Sequence, residues 1–385
     1  MTPTATNEPP VVQRIDYLDS VRGLAALAVA VFHFIGWRWE KETTFHLASF
    51  VFNGSDAVSL FFVLSGLVLS WKYFHPDTSL AIDGTHYRQY LLNRVVRLYV
   101  PFLVALLGIY YVQWYYDGHF FYFAKGFLTN ANGWVEEALL VRGKHLIYQP
   151  AWTLEVEMGG SLLLPFLVLL MRHSRPLYFT LLAIGLGLGG AFIFGTLFHF
   201  MLGIVLAYYF PRIASFDVRA SKLYPFCFLL YGLAFALFSV RHITRIYPLG
   251  PLANYWLGLL RLDLFHFTGF GAFLILAYVI NSPRVQRALA IRPLLFLGRI
   301  SYSLYLVHWF FVSEVMAHWE KLDARFIDPR VAFAVLLGAT VGASLLGAYL
   351  FNILVERPAM RFGRRLGARL FAQPDPPAPT LVPAS

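Results

Sequence analysis

Apolar runs recur along the chain, separated by short polar segments rich in Arg, Lys, Pro and Gly. Crossing about 30 Å of hydrocarbon takes a helix of about 20 mostly apolar residues. That rule picks ten candidate spans, near 21–37, 57–74, 95–116, 152–171, 177–194, 196–210, 223–240, 264–280, 296–318 and 331–354. The shorter ones lean on flanking residues or on local thinning of the bilayer. The pattern predicts an all-α polytopic membrane bundle of about ten transmembrane helices. The fifth and sixth runs meet near Gly195, where a tight hairpin and one long broken helix both fit. Residues 16–371 read as one membrane domain, with tails at 1–15 and 372–385 expected to be disordered because they are Pro-rich and apolar-poor.

Composition sharpens this picture. The chain is 58% hydrophobic and 14% charged, with mean hydropathy +0.60, against roughly 25% charged residues in a soluble domain. The first twenty residues lack a charged segment leading into an apolar stretch and a small-residue cleavage site, so no removable signal is expected. The single cysteine, Cys227, excludes an internal disulfide and a multi-cysteine metal site. Basic residues concentrate at the N-terminus, in the loops after even-numbered spans and at the C-terminus, most densely at Arg357, Arg361, Arg364, Arg365 and Arg369. This side is expected to be cytoplasmic, with both termini on it. The net charge of +10 then reflects topology and contact with anionic lipid rather than nucleic-acid binding.

Candidate chemistry begins in the first span. Arg22 and His33 are eleven positions apart, which at about 100° per residue puts both on one helix face, about 16 Å apart along the axis. An ionisable residue in an apolar span is costly unless it faces protein or a wet cavity. Arg94 and Arg97, three residues apart at the expected inner edge of the third span, add two cations at the depth of Arg22. Clustered guanidiniums suit a ligand with several phosphates arriving from the cytosol, because each makes forked, charge-assisted hydrogen bonds to phosphoryl oxygens. In the fourth span, Glu157 is expected at about the depth of His33. A neutral imidazole there suits removal of a hydroxyl proton during attack on an acyl carbonyl, with Glu157 orienting the ring or stabilising the imidazolium. That is acyl transfer to an alcohol, and no metal-binding pattern is present to suggest another route.

The segments YLDSVRGLAALAVAVFHF, FFVLSGLVLS, RVVRLYVP, WTLEVE, GRISYSLYLVHW and VERP, in that order over residues 17–358, resemble the membrane acyltransferase family 3. The resemblance implies a ten-span inner-membrane O-acyltransferase that takes an acyl group, commonly acetyl from acetyl-CoA. Its acceptors would be sugars of surface polysaccharides or lipopolysaccharide, or smaller glycosylated or macrolide molecules. It implies essential roles for Arg22 and His33, a signature role for Arg94 and Arg97, and a family position for His308. No tightly bound cofactor is expected, acyl-CoA being a substrate. Thr153 stands where the family usually has Ser, which keeps the hydroxyl. Many relatives carry an added soluble hydrolase-like domain. This chain is expected to complete transfer alone or with separate envelope-biosynthesis partners.

Each candidate also has a structural reading. A lone membrane histidine commonly bonds helix to helix, and arginines at span ends commonly snorkel to headgroups. Glu157 also suits neutralising a buried arginine or capping a helix. Ser65 and Gly66, in mid-span, suit close helix packing, or else an acyl tunnel with Ser65 donating to an oxyanion. Trp152 and His308 are candidate substrate contacts that equally suit an aromatic belt and a structural tyrosine-rich face. The Glu356–Arg357–Pro358 run is expected to close the last span, with Glu356 pairing an inner arginine. A polytopic transporter is the alternative function, although the two halves show no duplicated motif. A glycosyltransferase would need more acidic residues than the outer loop at 117–150 offers.

Overall fold

The computed structural model describes residues 15–39, 52–74, 82–117, 136, 138–140, 148–187, 192–222, 224–246, 248–259 and 263–371. The tails expected at 1–15 and 372–385, apart from Ile15, and most of the loop at 117–150 lie outside the described residues. The described residues are 88% helical, and no strand occurs among them. The first half of the bundle is built from α1 (Asp16–Trp39), α2 (Gly54–Phe74), α3 (Gly84–Asp117), α4 (Ala151–His173), α5 (Arg175–Gly187) and α6 (Phe192–Ser215). The second half uses α7 (Cys227–Phe238), α8 (Leu264–Asn281), α9 (Arg292–Arg299), α10 (Ser301–Ala317), α11 (Pro329–Phe351) and α12 (Arg357–Leu370).

Among the described residues, seven helices are long and apolar enough to cross a membrane, and the α9–α10 pair, bent by 74°, makes an eighth if taken as one span. The expected count of ten is corrected by length. Helix α5 has 13 residues and α7 has 12, and at 1.5 Å per residue each covers only about 20 Å. Helices α5 and α6 are separate and pack as a hairpin. The Tyr178 hydroxyl donates to the Met201 carbonyl at 2.7 Å, and Gly185 lies against the Phe198 side chain.

Two close crossings set the frame. Helices α2 and α6 make the most extensive helix–helix contact among the described residues. It depends on Gly66 and Gly203, because a Cβ on either would collide with the backbone carbonyl of Phe200 or Val63. Small residues let helix backbones approach where lipid offers no hydrophobic drive between helices. The second crossing joins α1 to α9. A Cβ on Gly23 would sit 2.6 Å from the Gly298 amide nitrogen, and one on Gly298 would sit 2.5 Å from the Asp19 carbonyl oxygen. This contact fixes Asp19 and Arg22 relative to Arg299.

Two boundaries differ from the sequence reading. Helix α3 starts at Gly84 rather than near 95. The Asp83 carboxylate accepts from the His86 amide at 2.7 Å and the Thr85 amide at 2.9 Å, satisfying orphan donors of the first turn. Those bonds, the His86 amide foremost, hold its carboxyl below the usual carboxylate range. Arg94 is therefore ten residues inside its helix, about 15 Å along the axis, instead of at its edge. At the other end, Pro358 does not terminate the last span. The chain passes through a π-helical turn at Asn352–Glu356 into α12, with the proline in the first turn where its missing N–H costs nothing. Helix α12 lies on α3, Gly363 against Val96 and Gly367 near Gln89 and Asn93, and exposes Arg361, Arg364, Arg365 and Arg369.

Candidate active site

A cavity of about 700 Å³ lies between α1, α2, α3, α4 and the α9–α10 bend, within the roughly 300–1,000 Å³ range of ligand pockets. Five guanidiniums (Arg22, Arg94, Arg97, Arg299, Arg357) and three carboxylates (Asp19, Glu157, Glu356) line it, an excess of two positive charges. Some of this charge is internally matched. Arg94, only 8% exposed, donates from Nε to Ser161 Oγ at 2.8 Å and from Nη2 to Glu157 Oε1. Ser65 Oγ donates to the same carboxylate oxygen at 2.9 Å. A buried guanidinium needs such a partner set, since desolvation otherwise outweighs the Coulombic gain. Arg22 Nη1 lies 3.2 Å from Asp19 Oδ1.

The π-helical turn supplies another network. Arg357 Nε donates to Asn352 Oδ1 at 2.9 Å, Asn352 Nδ2 donates to Glu356 Oε2 at 2.8 Å, and Ser303 Oγ donates to that oxygen at 2.6 Å. Glu356 thus takes neutral donors rather than the arginine expected from sequence. Among the described residues Arg97 and Arg299 have no carboxylate partner, Arg299 lying over the Phe296 ring at 6.0 Å. Among the described residues their N–H groups have no hydrogen-bond acceptor, which leaves both able to donate into the cavity.

His33 belongs to a second cluster. Its ring stacks on that of His308 with centroids 5.4 Å apart and 27° between planes, and meets Trp309 edge-on at 5.2 Å. His308 is fully buried, and its Nδ1 is 3.2 Å from the Leu304 carbonyl oxygen. A carbonyl only accepts, so Nδ1 carries the proton and Nε2 presents a lone pair, which has no hydrogen-bond partner among the described residues. His33 is absent from the cavity lining. Between the two clusters stands Tyr305, whose ring is 5.7 Å from His308 and 5.8 Å from Phe61.

The sequence candidates therefore divide. Arg22, Arg94, Arg97, Glu157 and Ser65 meet at one cavity; His33 and His308 meet each other; Trp152 packs edge-on against Phe62 at 6.3 Å, outside the lining. The pairing of Glu157 with His33 is corrected: the carboxylate serves Arg94, the neutralising alternative. Thr153 on α4 bonds Tyr305 at the closed end of the cavity, so Glu157, one turn farther along, reaches the depth of Arg94. Ser65 spends its proton on Glu157, which leaves it no donor for an oxyanion. Sequence reasoning passed over Arg299, Tyr302, Tyr305 and Asn352 as site residues, and took Arg357 for an anchor. A polar Asn inside an apolar run, and tyrosines three and six residues before His308, were the available signals.

These side chains gather guanidiniums at one end and a half-buried and a fully buried imidazole at the other, an arrangement chemically able to hold an anionic ligand and accept a proton. The sequence profile of a family described as "Acyltransferase domain" matches residues 15–349. No curated protein and no solved structure matches the chain. With that match covering most of its length and an all-helical membrane bundle beneath it, the chain belongs to the membrane acyltransferase family 3 and is a membrane acyltransferase.

Proposed function

We propose that the protein is an O-acyltransferase of a bacterial plasma membrane. It moves an acyl group, acetyl in the simplest case, from cytosolic acyl-CoA to a hydroxyl of a carbohydrate or glycosylated acceptor. One observation carries this reading: a cation-rich cavity and an imidazole pair occupy successive stretches of the same two helices, α1 (Arg22, His33) and α10 (Tyr302, His308). The arginines suit the donor's phosphates, and both termini then face the cytosol with the cavity. About 16 Å separates Arg22 from His33 along α1, a span for the extended arm that carries the thioester.

In the proposed step the acceptor oxygen attacks the thioester carbonyl while His33 takes the hydroxyl proton. The C–S bond then breaks, and the thiolate recovers the proton from the imidazolium. Glu157 acts one step removed, holding Arg94 in place with the help of Ser65. His308 braces the face of His33, and Trp152 contributes to the aromatic surroundings of the acceptor end.

The test uses purified protein in lipid nanodiscs with isotope-labelled acetyl-CoA, alongside mass spectrometry of envelope glycans and secreted glycosides from cells with and without the gene. One acyl mass, lost with the gene, is the expected result. His33→Ala should stay folded, bind donor within about twofold of wild type, and lose the roughly 10²–10⁴-fold that general-base catalysis supplies. Normal transfer by a folded His33→Ala variant rules out this mechanism. A glycan acylation pattern untouched by loss of the gene, with a solute found on the wrong side of the membrane, would favour transport.

A further inference from the structure

We infer that Tyr305 is the partition between the arginine cavity and the His33–His308 pair, and that it decides whether the thioester meets an acceptor hydroxyl or water; the identity of the thioester rests on the function proposed above. Toward the imidazole end the cavity lining includes Val58, Phe61, Thr153 and Tyr305 but not His33 or His308. Beyond the Tyr305 ring comes the His308 ring, at 5.7 Å, and beyond that His33. Phe61 closes against the other side of the tyrosine at 5.8 Å. Along α10, the Tyr305 ring thus stands between the arginine cavity and the imidazoles.

The hydrogen bonds holding the ring are built to be given up. The Tyr305 hydroxyl donates to the Pro150 carbonyl at 3.1 Å and accepts from Thr153 Oγ1 at 2.7 Å. When it leaves, neither partner is stranded. The Pro150 carbonyl keeps the Thr153 amide at 3.3 Å, and the one Thr153 hydroxyl proton, released by Tyr305, turns to that same carbonyl at 3.0 Å. A buried group that keeps a partner in both states avoids the desolvation penalty that would otherwise lock the side chain. A swing of one tyrosine side chain therefore opens the cavity toward the imidazole pair without unfolding α4 or α10.

The partition matters because a thioester beside an imidazole base is also open to water. In that side reaction water oxygen attacks the carbonyl carbon, the C–S bond breaks, the acyl group leaves as its carboxylic acid, and the thiol takes the remaining proton. A closed Tyr305 keeps the carbonyl on the arginine side until an acceptor is present.

Two measurements test this independently. In a Cys227→Ser, His33→Cys protein, we follow the labelling rate of residue 33 by an anionic and a cationic methanethiosulfonate. Tyr305→Ala should raise the anionic rate about tenfold or more and the cationic rate far less, since access then runs through a cavity with excess positive charge. Tyr305→Phe, which keeps the ring and loses both hydrogen bonds, should give a smaller rise and carries the test if the alanine variant does not fold. With His33 present, the ratio of acceptor-free thioester hydrolysis to acyl transfer should increase at least fivefold in Tyr305→Ala and also rise in Thr153→Val. Labelling rates unchanged in both tyrosine variants, or raised equally for both reagents, overturn the partition. So does an unchanged hydrolysis-to-transfer ratio. A wild-type protein that moves no acyl group from CoA defeats the proposed function instead, and leaves the labelling result to judge the partition.

Discussion

Arg94 shows what a membrane interior demands of a single charged residue. Its guanidinium is enclosed by Glu157 and Ser161, and Ser65 holds the carboxylate from the other side. Removing one member of a buried ion pair leaves the other uncompensated, which typically costs about 3–5 kcal/mol when burial is complete. Glu157 is 14% exposed at its side chain, so the cavity's water lowers that cost. Glu157→Gln should destabilise the protein by roughly 2–3 kcal/mol in detergent-based thermal unfolding, while Arg94→Met with Glu157→Leu should recover most of that loss and still fail to bind donor. A double variant as unstable as the single one would mean that the pair is not an energetic unit. Individual residues were only partly legible in the sequence. The arginines could be named because a cation in an apolar run has few reasons to be there. Their partners could not, because periodicity fixes the face a side chain occupies and not the depth at which it meets another helix.

At the level of helices, position is set by where backbones touch. The Gly23–Gly298 crossing holds the arginine end of α1 against the bend between α9 and α10. A methyl group added there meets backbone rather than a flexible side chain, so the helices must separate. Overpacking of this kind costs typically about 1–3 kcal/mol. Gly298→Ala should therefore lower the unfolding temperature and also weaken donor binding, because Arg22 and Arg299 move apart. Gly338→Ala, where nothing lies within 4 Å, should leave both unchanged and serves as the control. Equal behaviour of the two variants would contradict the crossing as the positioning device. Hydropathy marked most helices but misjudged their ends. The polar turn THYRQYLLNR belongs to α3 because Asp83 caps it, and a chain crossing Pro358 stays helical because a π turn absorbs the missing bond. Caps and π turns act through single hydrogen bonds, which a hydropathy window averages away.

For the molecule as a whole, the relevant quantity is the charge left in the cavity after internal pairing. Arg94 is matched by Glu157 and Arg22 by Asp19, while the charge of Arg97 and Arg299 is left without a carboxylate among the described residues. Donor binding should accordingly weaken as salt rises, since ions at 0.15 M screen over about 8 Å and compete for the same cations. Replacing Arg97 with Gln should cost about tenfold or more in donor affinity, the equivalent of one charge-assisted hydrogen bond of about 1.5–3 kcal/mol. It should also flatten the dependence of affinity on salt, and Arg97→Gln with Arg299→Gln should flatten it further. Stability should barely change in either variant, because no internal partner is orphaned. Calorimetric titration of the donor at several salt concentrations, paired with thermal unfolding, reads both effects. If instead the two substitutions destabilise the fold as Glu157→Gln does and leave the salt dependence intact, these arginines are structural, and the cavity's excess charge is not what holds the donor.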